Sequence, residues 1–126
     1  MAGVRPATTE ALRAFEQALV PPRAGSNVGN WRWSMRQRLA RLREALMIED
    51  AGTTDAWLTP RTGSALRERG ALLSRLSCLG DDVLDRSDLS ELHRELQRLA
   101  VDLHHHLQRI SDLAYDEVEL ELGGSD

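Results

Sequence analysis

DLSELHRELQRLAVDLHHHLQRISDL, residues 88–113, decides the fold. Within it Leu89, Leu92, Leu96, Leu99, Leu103, His106, Ile110 and Leu113 recur in alternating steps of three and four. An α-helix turns once in about 3.6 residues, so these side chains form one stripe that must meet other apolar stripes away from water. Asp88 is placed to cap this helix, and Glu91, three residues on, completes a capping box. The helix is predicted to reach about Leu120, with Gly123–Gly124 ending it.

The same reading extends toward the N-terminus. The short turn DRS precedes Asp88, and before it a helix is predicted from Thr59–Pro60 to about Leu84. Leu66, Leu73, Leu76, Val83 and Leu84 are expected to face the core, with Leu72 and Leu79 at its edge. Gly63, Gly70 and Ser77 repeat every seven residues and suggest close approach by another helix. A further helix, from about Trp31 to Glu49 with Asn30 as its cap, carries the stripe Trp31, Met35, Leu39, Leu42, Leu46. The first helix runs from about Thr9 to Val20 on Leu12, Phe15 and Leu19, and Pro21–Pro22 stop it. PPRAGSNVGN (21–30) and DAGTTDAWLT (50–59) read as loops. Short connections between long amphipathic helices favour antiparallel neighbours. The predicted fold is therefore all-α, an antiparallel up-down four-helix bundle forming a single domain over 1–126, with 1–8 and 121–126 as flexible ends.

Composition fits this reading. Charged residues at 29% and apolar residues at 41% are globular proportions and argue against disorder. Aromatics are scarce, so leucine must fill the core. No apolar run reaches the roughly 18 residues of a membrane helix, and Met1–Thr9 lacks the layout of a signal peptide. Cys78 stands alone, which excludes an internal disulfide and suits a reducing compartment; the expected address is cytoplasmic. Cys78 is expected to be buried beside the core. All 16 basic residues are arginine. They concentrate in 1–48, where eight arginines meet three glutamates, whereas 110–126 holds six acids and no base. The basic front and acidic end are expected to attract each other.

Three sets of residues carry functional expectations. On the second helix Trp33, Ala40 and Met47, spaced by seven, form an apolar line opposite the core stripe. One bundle core cannot use both lines, so these residues are expected to form an interface with a protein partner or a second copy of the chain; the alternative is that Trp33 packs under the 21–30 loop or the first helix. Arg32, Arg36 and Arg43, beside Trp31 and Trp33, form the second set, an alternative nucleic-acid face of phosphate-gripping guanidinium groups next to stacking aromatics. The overall charge of −4 weighs against it. The third set is a low-ligand metal alternative, His106 with Asp102 and His93. His106 sits on the apolar seam with Asp102 four residues before it, the placement from which bundle metal sites are built. His104, His105 and His106 fan out by ~100° each and cannot converge on one ion. His106 otherwise bonds Asp102 or a neighbouring helix. Arg69 points to the core side by azimuth, either to snorkel to solvent or to pair with a carboxylate such as Asp102 or Glu95. Neither a phosphate-binding glycine loop nor a nucleophile motif occurs, so no catalytic residue is assigned and no cofactor is expected.

HHLQRISDLAYDEVELELGG, residues 105–124, resembles the C-terminal end of small actinobacterial hemerythrin-like helical proteins, through His106, Gln108, Arg109, Asp112, Leu113, Tyr115, Gly123 and Gly124. WRWSMRQRLARLREAL (31–46) and PRTGSALRERGALLSRL (60–76) are compatible with that family's earlier helices. The resemblance implies a four-helix bundle and, as the alternative function, an iron- or haem-binding redox or sensor protein. The departures are specific. The first three helices hold no histidine, and Arg69–Gly70 stand where the family tends to carry a Glu-His pair. The resemblance thus implies a member that keeps the bundle without most metal ligands.

Overall fold

The structure is a computed structural model that describes residues 5–20, 27–49 and 60–123, with side chains described over 5–20, 27–48 and 63–115. Among these residues the chain forms α1 (Pro6–Gln17), α2 (Val28–Glu49), α3 (Pro60–Asp85) and α4 (Leu89–Gly123), with no strand. Backbone neighbours run α1–α2, α2–α3, α3–α4 and α1–α4, while neither diagonal pair approaches within 8 Å among the described residues. Cross-helix bonds set the direction. Arg32 near the start of α2 reaches Val83 near the end of α3, and Arg69 near the start of α3 reaches Leu46 near the end of α2. Glu16 meets His104 across α1 and α4. Each pair is antiparallel, and the fold is the up-down four-helix bundle the leucine spacing predicts.

The seam of α4 is as read: Leu92, Leu96, Leu99, Leu103 and His106 are fully buried, and Ala100 and Leu107 widen it toward its two neighbours. The inner stripe of α2 also holds, with Met35, Leu39, Leu42 and Leu46 all buried and Trp31 packed against them. α3 is rotated from its expected setting. Its buried line is Ala65, Leu72, Leu76, Leu79 and Val83, whereas Leu84 is exposed. The steps of three and four along this line pass through Arg69, so a guanidinium occupies a seam position. The rotation carries Gly70 and Ser77 to the surface, and a Cβ at Gly70 would meet nothing within 4 Å. The small residues therefore mark no close helix approach. Cys78 is exposed for the same reason.

Helix ends differ in detail. α1 starts at Pro6, whose fixed φ suits the first helical position, so 6–8 belong to the helix and Thr8 is buried. Asn27, not Asn30, caps α2: its side-chain oxygen accepts the Asn30 backbone N–H at 3.1 Å. Asp88 caps α4 through the Glu91 N–H at 3.1 Å, and α4 extends to Gly123. The 50–59 linker and the Thr59 cap lie outside the described residues.

The last carbonyls of a helix have no partner within it. Here neighbouring helices supply donors. Trp31 donates its indole N–H to the Ala18 carbonyl (2.9 Å), and Arg38 donates to the Ala14 carbonyl (2.5 Å), its Nε–H also bonding the Ser34 hydroxyl within α2 (3.3 Å). His93 donates Nε2–H to the Leu19 carbonyl. Arg69 donates to Leu46 at the end of α2 (3.3 Å), and Arg32 to Val83 at the end of α3 (3.0 Å). A guanidinium can bring several donors to one place, which lysine's point charge cannot copy in the same planar geometry. Arg32 and Arg38 of the basic front thus serve carbonyls; the side chains of 116–126 in the acidic end lie outside the described residues. Among the described residues, cross-helix ion pairs of arginine instead join α3 and its turn to α4. Arg75 pairs with Asp102 at 2.7 Å. Arg86 at the turn hydrogen-bonds Glu95, with Glu91 at 3.4 Å and Asp82 at 3.6 Å. The Glu95 hydrogen bond, aided by the nearby carboxylates and opposed by desolvation, holds the Arg86 guanidinium above its ordinary pKa. Among the described residues, no helix is long and apolar enough to cross a membrane.

Candidate functional site

The outer face of α2 follows from its inner one. Met35, Leu39, Leu42 and Leu46 close the core, and residues displaced by half a turn from them must face away. Trp33 is 53% exposed and Met47 47%, with Ala40 exposed between them. Seven residues of helix rise about 10.5 Å, so this line spans about 21 Å. Ile48, which the seven-residue spacing did not find, extends its end at 50% exposure. Its position directly after Met47 in an apolar triplet was the available signal. Arg36 lies over the Trp33 ring, 6.0 Å from its centroid. Such a cation–π contact is worth about 0.5–1 kcal/mol at an exposed site. Gln37, Arg43 and Glu44 fill the gaps between the apolar positions and are exposed.

The arginines predicted to grip phosphates are divided. Arg32 is occupied by the Val83 carbonyl, Arg36 by Trp33, and Arg43 is exposed. They form no shared cradle.

The histidine set is likewise separated. His106 is 1% exposed and donates Nδ1–H to Glu68 of α3 at 2.8 Å, not to Asp102. Glu68 also accepts from Arg109 at 3.1 Å and 2.5 Å, so one carboxylate satisfies a buried imidazole and an exposed guanidinium. Asp102 is held by Arg75, and Arg69 reaches neither Asp102 nor Glu95 in these bonds. His93 serves Leu19 at the other end of α4, thirteen residues or about 20 Å from His106. Among the described residues, no group of three or more His, Cys, Asp or Glu side chains is placed to hold a metal ion. Among the described residues, His106, Asp102 and His93 therefore do not converge on one ion. Glu68 was missed by reading residues singly. Counting equal distances outward from the turn before Leu89 places it opposite Arg109, one helical turn from His106.

A groove of about 590 Å³ lies between α1 and α4, with Leu12 and Leu107 among its lining and Arg13, Glu16 and His104 on its walls. His104 donates Nε2–H to Glu16 at 2.7 Å beside it. This groove opens where the α1–α4 seam is thinnest. Comparison of the chain with protein-family models, with characterised proteins and with solved structures finds no match.

Proposed function

We propose that this chain is a non-catalytic helical-bundle protein that works in the cytoplasm by binding another protein through the outer face of α2. The observation that carries this reading is the exposure of Trp33 and Met47 on one line with Ala40, on a helix whose opposite face already completes the core. Burying a large apolar side chain contributes about 1.5–3 kcal/mol, so such a line favours a covering surface. Trp and Arg are the residue types that most often dominate binding energy, and here Arg36 stacks on Trp33. The lone Cys78 supports a reducing compartment.

Site-specific photo-cross-linking inside cells tests the reading. A benzophenone side chain placed at position 33 or 47 is expected to give an adduct of discrete mass. The same probe at Gln97, exposed on α4, is expected to give none. Absence of any discrete adduct along the α2 face ends the proposal.

A further inference from the structure

We infer that the occupant of this face is a second copy of the chain, with the two α2 helices antiparallel about a two-fold axis at Ala40. The inference rests on the association reading above and specifies its partner. Three pairs of exposed residues on α2 are placed symmetrically about Ala40, while Arg41 and Ile48 have no exposed mirror position. Trp33 and Met47 lie seven positions to either side, Arg36 and Glu44 four, and Gln37 and Arg43 three. A two-fold axis places every residue opposite its mirror position. Trp33 then packs on the partner's Met47, and Arg36 meets the partner's Glu44. Gln37, on the same side of the line as Glu44, meets the partner's Glu44, while Arg43 stands beside the partner's Arg36; each contact occurs twice.

The pattern also selects direction. A parallel, in-register pairing would set Arg36 against the partner's Arg36 and Glu44 against the partner's Glu44, like charge on like charge. The antiparallel pairing separates both like pairs and brings each Arg36 within reach of the partner's Glu44. Ala40 at the axis suits the closest approach of two helices, whose axes pack about 8–10 Å apart. The flanking Trp33 and Met47 fill the widening space on both sides. Arg36 lies over its own Trp33, so its guanidinium is at the rim of the aromatic contact, where it can reach a carboxylate without leaving the ring. Neither Arg43 nor Glu44 has an ion pair with another described residue of its own chain. The contacts span about 21 Å of a single helix per partner, a small face beside the roughly 800 Å² per partner of stable complexes, so the dimer is expected to dissociate on dilution.

Sedimentation velocity on the full chain, from low micromolar to near-millimolar concentration, tests the inference. The wild-type chain is expected to pass from monomer to dimer. Arg36→Glu and Glu44→Arg, each alone, are expected to weaken dimerisation about tenfold or more by opposing like charges twice, and the double reversal is expected to restore it. Trp33→Asp is expected to abolish it. All these positions are exposed, and circular dichroism on each variant confirms the fold; if Trp33→Asp unfolds, the charge-reversal set still decides. Failure of the double reversal to recover dimerisation overturns the register. A monomer at every concentration overturns the second copy as occupant. In that event an adduct from position 33 to a different protein leaves the association reading standing, whereas no adduct removes both.

Discussion

On the inner face of α2, Trp31 packs against the core and donates its indole N–H to Ala18. On the outer face Trp33, two residues on, is half exposed beneath Arg36. Two positions on a helix are about 200° apart, so the same side chain meets opposite surroundings on one element. The inner indole has both its apolar body and its polar tip satisfied within the chain. The outer one has only a cation over its ring. The contrast teaches that residue type alone does not distinguish core from contact surface; azimuth does, and azimuth is set by which stripe the neighbouring helices have already covered.

The largest expected effect separates the two faces by stability. Leu39→Ala, on the inner face, is expected to cost about 2–5 kcal/mol through lost burial and the cavity left behind, whereas Met47→Ala is expected to change the monomer's stability by about 0.5 kcal/mol or less. Denaturant titration at a concentration where the chain is monomeric measures both, and equal losses would break the contrast. Next comes a polar group that serves the inward side. Glu68→Leu leaves the buried His106 N–H without its acceptor and is expected to cost about 1–3 kcal/mol in the same titration, despite adding apolar surface. Smaller again is the indole pair. Trp31→Phe is expected to lose about 1 kcal/mol with its hydrogen bond to Ala18, and Trp33→Phe about 0.5 kcal/mol or less. A small effect of opposite sign carries the question to α3. Gly70 faces solvent with open space where a Cβ would stand, so Gly70→Ala is expected to stabilise by about 0.5–1 kcal/mol and raise the melting temperature. A loss there would restore the close helix approach that the seven-residue spacing suggested.

The bundle was legible because Leu92, Leu96, Leu99 and Leu103 sit at helical spacing with little to compete for the role. α2 was legible for the same reason. α3 was not read correctly because leucines occur at both 72 and 73, so composition offers two stripes; the turn at Arg86–Asp88 and the packing of α2 choose between them. That choice moves Cys78 and Gly70 outward together. The apolar line of Trp33, Ala40 and Met47 was visible as a leftover stripe. The partner of His106 was hidden because Glu68 is a contact between helices, visible only once the register about the turn is known. The arginines were the least legible. Their function at Ala14, Leu46 and Val83 depends on where neighbouring helices stop, and charge counting carries no record of backbone carbonyls.

Those guanidinium–carbonyl bonds have a consequence for how the chain gains its structure. The ends of α1, α2 and α3 each accept a donor from the adjoining helix. A short helix alone in water is marginal, and these carbonyls gain their cross-helix donor only once the neighbour has docked. The last amides of each helix should therefore acquire protection from solvent exchange together with the core leucines, as one cooperative unit, instead of fraying helix by helix.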